Sequence, residues 1–170
     1  MSAANMKIVP ADYERHAPRI LALLNDAVLH TTWVYDCDPY PEDYMREYFD
    51  GHAAGNYPVL AAESDDGVFL GFASCGPYRH HQGYRHAAEL SLYVESFARR
   101  TGVGTALLAR LEDECRKAGI HTLIGVIDSE NLPSIELHRK YGYEYAGTVR
   151  EAGRKFGRWL SIDYYQKILS

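Results

Sequence analysis

Apolar positions near the start of the chain repeat with helical spacing. A short apolar stretch, MKIV, is followed by ADYERHAPRILALLNDAVLH, in which Ile20, Leu24 and Val28 recur every four residues. That spacing places the three side chains on one face of a helix, so the segment predicts an amphipathic helix after a first strand. The next segment, PEDYMREYFDGHAAG, predicts a second helix with Pro41 in its first turn.

The middle of the chain predicts three strands. YPVLAAES and VFLGFASCG are apolar runs joined by SDDG, a turn in which Gly67 tolerates positive φ. AELSLYVE alternates, so the apolar residues Leu90, Leu92 and Val94 are expected to face away from Glu89 and the other intervening positions.

The second half alternates helices and strands. Val103, Leu107 and Leu111 repeat every four residues, which predicts a helix running to about Ala118 and ending at Gly119. IHTLIGVID is an apolar strand, NLPSIELHRKYG a short helix, and YEYAGTV and WLSIDYYQKIL the last two strands.

The resulting order, β-α-α-β-β-β-α-β-α-β-β, predicts an α/β fold, called α+β in some schemes. We expect a mixed sheet of about seven strands with helices on both faces, in one domain over residues 1–170.

Composition excludes several classes of protein. The 170 residues carry a net charge of −5, which argues against a broad nucleic-acid surface. No apolar run approaches the roughly 20 residues of a membrane helix, and the first residues lack the apolar core of a signal peptide. Cys37, Cys75 and Cys115 are widely spaced, so we expect reduced core thiols in a cytoplasmic protein and no metal site.

The stretch ARRTGVGTALLARL joins two arginines to a Gly-x-Gly at a helix start. Helix N-termini expose unpaired N–H groups, and Gly102 and Gly104 would let an anion such as phosphate approach them. A P-loop is excluded because Gly104 is not followed by Lys and Ser or Thr, and the dinucleotide fingerprint lacks its third small residue, since Leu107 stands there. A simple strand-to-helix turn remains the alternative.

Arg99-x-x-Gly102-x-Gly104, at the start of the helix after the fourth strand, resembles the acyl-CoA signature of the GNAT-superfamily N-acetyltransferases. GYRHAAELSLYV, IDSENLPSIELHRKYGY and REAGRKFGRWLSIDYYQK resemble its phosphinothricin and methionine sulfoximine acetyltransferase branch. The resemblance implies acetyl-CoA as donor and the α-amino group of a small amino acid as acceptor. It also predicts that LSLYV and HTLIGVI splay apart to admit the cofactor.

The resemblance further implies the cofactor-binding residues. One strand would pair its backbone with the pantetheine arm, the following loop would bind the pyrophosphate, and an asparagine would hold the pantetheine from the other side. The residues are Leu92, Tyr93, Val94, Arg99, Arg100, Thr101, Gly102, Val103, Gly104, Thr105 and Asn131.

Acetyl transfer to an amine needs a base, an oxyanion donor and a proton for the leaving thiolate. In the resembling family a glutamate at the position of Glu89 is the proposed base; the alternative is a surface carboxylate paired with Arg85. A backbone N–H near Val94 is expected to stabilise the oxyanion. His138 is the candidate acid that protonates the thiolate, with Tyr141 or water as alternatives. The alternative for His138 itself is a helix residue that only lines the cofactor groove and takes no part in the chemistry.

The acceptor site is expected around PYRHHQGYRHAAE. Arg79 and Arg85 suit an amino-acid carboxylate, which Arg binds bidentately, and the resemblance places Arg79, His80 and His81 at the acceptor pocket. Relatives usually carry a small polar residue and an aromatic where this chain has the two histidines. A metal site there is disfavoured because no acidic or cysteine ligand stands at suitable spacing.

Two further segments carry weaker signals. YDCDPYPED is predicted to be a solvated loop, with acceptor contacts from Thr31, Thr32 or Tyr35 as the alternative. EAGRKFGRW joins the last two strands and carries Phe156 and Trp159 among basic residues. Such a cluster favours a homodimer with this segment at or beside the interface, the alternative being packing on the monomer core.

Other functions remain open at this point. The fold would also serve an acetyltransferase for a protein N-terminus, a polyamine or a drug amine. A non-catalytic acyl-CoA binding module and a nucleotide-binding oxidoreductase are alternatives from other classes.

Overall fold

The computed structural model describes residues 6–169, so residues 1–5, which belong to the segment tested for a signal peptide, lie outside the described part. Within residues 6–169, seven strands form one sheet and four α-helices pack on it. The strands are β1 (Met6–Pro10), β2 (Val59–Ser64), β3 (Phe69–Pro77), β4 (Ala87–Val94), β5 (Thr122–Asp128), β6 (Glu144–Lys155) and β7 (Arg158–Ile168). The helices are α1 (Tyr13–His30), α2 (Tyr44–Ala54), α3 (Val103–Lys117) and α4 (Leu132–Lys140).

The sheet is mixed, with the order β1-β2-β3-β4-β5-β7-β6. Its neighbours are antiparallel except for β4 and β5, which are parallel. A parallel pair needs a crossover connection, and α3 supplies it between these two strands. The predicted element order and seven-stranded mixed sheet are therefore confirmed.

The parallel pair separates part-way along its length. β4 and β5 are paired from Ala87 with Thr122 to Leu90 with Gly125. Beyond that point β4 continues to Val94 and β5 to Asp128 without pairing to each other. This confirms the predicted splay and leaves backbone groups of both strands facing a gap.

Alternate residues of the strands enter two apolar cores. Leu90 of β4 packs with Leu107 and Leu111 of α3, and α4 joins the same core. On the opposite face, Phe72 of β3 packs with Ile20 of α1, and α2 joins there. The helices thus cover both faces of the sheet, as the alternation predicted.

A buried carboxylate joins α1 to β2. Glu63 is 1% exposed, and its Oε1 accepts a hydrogen bond from His16 Nε2 at 2.9 Å and lies 2.6 Å from Arg15 Nη2. His16 Nδ1 accepts the Asp12 N–H, which leaves the ring proton on Nε2 for Glu63. Burial raises the pKa of Glu63, but the hydrogen bond from His16 and the charges of Arg15 and Lys7 outweigh it, so the net pKa is lowered.

Two element boundaries differ from the sequence prediction. Helix α2 begins at Tyr44 with Asp43 before it, so Pro41 lies outside the helix instead of in its first turn. Strand β6 extends to Lys155, and the connection to β7 shrinks to Phe156 and Gly157, both with positive φ. The register of β6 against β7 shifts twice and breaks the period-two pattern, so the sequence predicted this strand only as far as Val149.

The cysteines are free within the described chain. Cys75 and Cys115 lie in the core with their Sγ atoms 3.3 Å apart, and the contact between them together with burial raises the pKa of Cys75. Cys37 is exposed, so the expectation of a core thiol is wrong for that residue. No helix within residues 6–169 is both long and apolar enough to cross a membrane.

Candidate active site

A groove of about 950 Å³ opens where β4 and β5 part. The start of α3 and most of α4 line one side of it, and the residues that follow α1 line the other. Ligands of α/β sheets bind at the carboxyl ends of parallel strands, and this groove lies at those ends of β4 and β5. Its volume is large enough for a cofactor arm and a small acceptor.

The N-terminus of α3 faces this groove with free backbone donors. Gly102 precedes the helix with φ of 95°, a left-handed conformation that glycine adopts without a Cβ penalty. The first backbone bond of the helix joins the Ala106 N–H to the Gly102 carbonyl at 3.0 Å. The N–H groups of Val103, Gly104 and Thr105 precede that bond and are the orphan donors of the helix end. Such donors favour an anion.

Arginine side chains extend the positive charge around the helix start. Arg99 and Arg100 both line the groove. Arg99 Nε donates to the Val94 carbonyl at 3.2 Å, and its guanidinium lies 5.1 Å from the centroid of the Trp33 ring. Arg99 therefore contacts both the end of β4 and the loop after α1.

Two of the predicted cofactor residues turn their side chains elsewhere. Thr101 Oγ1 donates to the Ala98 carbonyl at 2.7 Å, and Val103 is 1% exposed in the core. Neither lines the groove. A role for them in binding the cofactor would therefore be carried by the backbone.

The unpaired end of β4 presents its backbone to the groove. Leu92, Tyr93 and Val94 all line it, and pairing with β5 has stopped at Leu90. Across the gap, Asn131 lines the groove and caps α4 by accepting the Ser134 N–H at 3.3 Å. The structure thus brings both predicted pantetheine contacts to one site.

Glu89 lines the groove at the last paired part of β4. Burial raises the pKa of its carboxyl, and the charge of Arg79 offsets part of that rise. Within residues 6–169 Glu89 forms no salt bridge, and Arg85 Nε donates to His86 Nε2 at 3.0 Å. The alternative of a Glu89–Arg85 surface pair is therefore not found.

His138 also lines the groove. Nδ1 donates to the Ser134 carbonyl at 2.8 Å, and Nε2 is buried without a hydrogen-bond partner in the described chain. Burial lowers the pKa of the ring, which favours the neutral form with its proton on Nδ1. Donation to a thiolate would require a rotated or doubly protonated ring, so the acid role stays a prediction. Tyr141 follows α4 and does not line the groove.

The predicted acceptor residues lie in the exposed connection between β3 and β4. Arg79, His80, His81 and Arg85 are exposed and do not line the groove. Arg79 stacks on Tyr78, with 4.2 Å between its guanidinium carbon and the ring centroid. Of the four, Arg79 has a charge that acts on Glu89. No cluster of three or more potential metal ligands occurs in the described part of the chain.

The groove also contains residues outside the predicted set of site residues, among them Trp33 after α1 and Asp128 at the end of β5. Tyr35, which the sequence offered only as an alternative acceptor contact, lines the groove as well. Tyr35 Oη donates to the Ser161 carbonyl at 3.0 Å and lies 3.2 Å from Asp128 Oδ2. The segment YDCDPYPED, which the sequence predicted to be a solvated loop, therefore lines the groove with its first residue, Tyr35. The available signal was Asp128, a carboxylate at the end of an apolar strand.

Residues 25–143 match the Acetyltransferase (GNAT) family. The chain belongs to this family. The predicted family, fold and enzyme class are therefore confirmed.

Named relatives narrow the comparison. The chain is 40% identical over 149 residues to an L-methionine sulfoximine/L-methionine sulfone acetyltransferase of Pseudomonas paraeruginosa, covering 88% of this chain and 87% of the relative. A phosphinothricin acetyltransferase of Sinorhizobium meliloti, solved in complex with acetyl-CoA, superposes with a TM-score of 0.93 at 30% identity, covering 98% and 89%. A ribosomal-protein-alanine N-acetyltransferase of Brucella melitensis superposes at 0.91 with 40% identity, covering 95% and 99%. The acetyl-CoA in the Sinorhizobium meliloti structure agrees with the predicted cosubstrate.

Proposed function

We propose that the protein transfers the acetyl group of acetyl-CoA to the α-amino group of a small amino acid or analogue of the methionine sulfoximine or phosphinothricin type. The observation that carries the proposal is the groove between β4 and β5, which combines an anion-binding helix end with a half-buried carboxylate. The named relatives that act on such amino-acid analogues support the acceptor class.

The donor would lie along the unpaired end of β4. The free N–H groups at the start of α3, with Arg99 and Arg100, bind the pyrophosphate of coenzyme A. The pantetheine arm pairs with the backbone of Leu92 to Val94 as an added strand would. Asn131 contacts it from α4 through its amide nitrogen, because its oxygen already caps the helix.

Glu89 takes the proton of the acceptor ammonium, directly or through water. A carboxyl whose pKa is raised by burial is a stronger base than an exposed one. The freed amine attacks the thioester carbonyl, and a backbone N–H near Val94 stabilises the oxyanion. The C–S bond then breaks, and the thiolate takes a proton from solvent, with His138 and Tyr141 as the alternatives.

The acceptor reaches the groove from the side of α1. Glu89 and Tyr93 alternate with Leu90 and Leu92, and the two leucines face α3. The Glu89 carboxylate therefore lies on the α1 face, where Arg79 is the nearest candidate for binding an acceptor carboxylate.

The remaining parts of the proposal concern the whole molecule. Residues 1–170 form one acetyltransferase domain in a cytoplasmic protein. The protein is a homodimer with segment 151–159 at or beside the interface. Phe156 and Trp159 are 60% and 61% exposed, which argues against their packing on the monomer core and supports a partner surface.

A coenzyme A release assay tests the acceptor. Wild type is offered acetyl-CoA with amino acids, sulfoximines, phosphinic analogues, polyamines and peptides. We expect turnover with the sulfoximines and phosphinic analogues. Turnover confined to peptides would favour a protein N-terminus as acceptor, the second candidate, which the Brucella melitensis relative supports. Tight acetyl-CoA binding without thiol release with any amine would indicate a non-catalytic module.

The Glu89→Gln variant tests the base. It should lose roughly 10² in turnover while acetyl-CoA binding is kept. Wild-type turnover should fall as the pH drops towards the raised pKa of Glu89, and this acidic limb should vanish in the variant. Glu144→Gln, at an exposed strand position, is the control. A variant with wild-type turnover from pH 6 to 9 would make Glu89 structural.

A further inference from the structure

The loop that follows α1 is fastened to the hairpin of β6 and β7 by an aromatic contact. An added Cβ at Gly153 would lie 2.4 Å from Cδ2 and 2.8 Å from Cε2 of Tyr35. Real Cβ atoms do not approach ring carbons so closely, so the Tyr35 ring packs directly on the backbone of β6. Position 153 must therefore be glycine for this contact to exist.

Two hydrogen bonds hold the same loop. The Tyr35 hydroxyl donates to the Ser161 carbonyl of β7 at 3.0 Å, with the Asp128 carboxylate 3.2 Å away. One residue earlier, the Val34 carbonyl accepts a hydrogen bond from Lys155 Nζ at 2.6 Å. Lys155 is 3% exposed, and a buried ammonium is costly unless it is bonded.

These contacts lie on the acceptor side of the groove. Val34, Tyr35 and Asp128 line the same cavity as Glu89. Asp128 is separated by an even number of positions from Ile124, the partner of Glu89, so both carboxylates lie on the α1 face of the sheet. The anion-binding start of α3 belongs to the opposite face. Val34 and Tyr35 therefore form a wall of the acceptor site, whereas Trp33 of the same loop lies against Arg99 of the proposed pyrophosphate site.

We propose that Tyr35, seated on Gly153 and bonded to β7, together with Lys155, is a positioning device that fixes the acceptor wall of the active site. The inference rests on the proposed function for the identity of the acceptor. Tyr35 and Lys155 set where the acceptor lies relative to Glu89. The hairpin thereby couples its own geometry to acceptor binding.

Gly153→Ala is the test, because the added methyl must displace the Tyr35 ring. We expect the KM for the acceptor to rise at least fivefold while the KM for acetyl-CoA stays within twofold of wild type. Gly51→Ala is the matched control, since nothing lies within 4 Å of a Cβ there. Lys155→Met keeps the apolar stem, removes the bond to Val34, and should shift the same KM, so the test survives if Gly153→Ala fails to fold.

A double-mutant cycle shows whether the effect acts through the ring. In a Tyr35→Leu background, Gly153→Ala should add less than twofold to the acceptor KM. Additive effects, or equal increases of both KM values, would overturn the inference. Hydrogen exchange should also rise in residues 31–35 of the Gly153→Ala variant, and unchanged exchange there would overturn it as well. If wild type acts only on peptides or polyamines, the proposed acceptor is wrong. The comparison of the KM for the amine that is active with the KM for acetyl-CoA then still tests the positioning role of Tyr35 and Lys155.

Discussion

The assignment of the α3 start to the donor pyrophosphate can be tested at Gly104. A Cβ added there would lie 3.4 Å from Leu137 Cδ2 and 3.6 Å from both Leu92 Cδ2 and Val94 Cγ2. These are ordinary van der Waals contacts, so Gly104→Ala should fold and leave the groove open. Gly104→Asp carries a carboxylate on the same Cβ, so the comparison of the two variants separates the effect of the added carboxylate from that of the added Cβ.

The expected loss follows from Coulomb's law. Two unit charges about 4 Å apart repel by about 1 kcal/mol in water and about 4 kcal/mol at an effective dielectric constant of 20. The groove is open to solvent, so the lower part of this range applies. The new carboxylate also interacts favourably with the positive N-terminal end of α3, which supports folding but competes with the phosphate for the same donors. We expect acetyl-CoA affinity to fall more than tenfold, or roughly 1.4 kcal/mol.

Calorimetric titration of acetyl-CoA into wild type and the two variants measures this difference. The penalty of Gly104→Asp should shrink as ionic strength rises, because salt screens exposed charges. A folded Gly104→Asp protein with wild-type affinity would refute the pyrophosphate site. An equal loss in Gly104→Ala would show that volume and not charge is responsible.

The remaining predictions concern the acceptor, stability and assembly. Arg79→Ala should raise the KM for acceptors that carry a carboxylate more than for their amides, whereas Arg85→Ala should not; equal effects on acid and amide would remove Arg79 from carboxylate recognition. Because the pKa of Glu63 is lowered on folding, its contribution is present above the unfolded pKa and lost as pH falls through the folded one, so Glu63→Gln should cost about 2 kcal/mol in urea unfolding at pH 7 and much less near pH 3. Replacing Phe156 and Trp159 by Ala should shift a dimer towards monomer in light scattering, and a wild-type monomer at tens of micromolar would contradict the proposed assembly.

Much of the fold follows from the spacing of apolar residues and from the glycines at the ends of elements. The alternation of AELSLYVE predicted that Leu90 and Glu89 lie on opposite faces of β4, and Leu90 does pack in the core beneath α3 while Glu89 lies outside that core. Glycines at the ends of α3 were equally informative, because Gly102 and Gly119 both adopt positive φ. These features are local, so the sequence carries them directly.

The acceptor wall could not be predicted in the same way. Tyr35 and Gly153 are far apart in the sequence, and their contact depends on how the last hairpin folds over the loop after α1. The sequence predicted both strands of that hairpin but ended the first at Val149, because the shift in register of β6 between Val149 and Gly153 breaks the alternation that would extend it to Lys155. An aromatic residue in an acidic segment has no pattern that distinguishes a buried wall from a solvated loop.

The position of the groove follows from a single topological feature. β4 and β5 are the parallel pair of the sheet, so their carboxyl ends meet at one edge. Each strand is followed by a helix, α3 with Gly102 before it and α4 with Asn131 before it. Both helices therefore begin beside the gap, and both positive helix ends lie at the same place. The splay admits an extended ligand at the point where the fold concentrates backbone N–H groups. An anionic, strand-like donor such as acetyl-CoA fits that combination, whereas a neutral compact ligand would use neither feature.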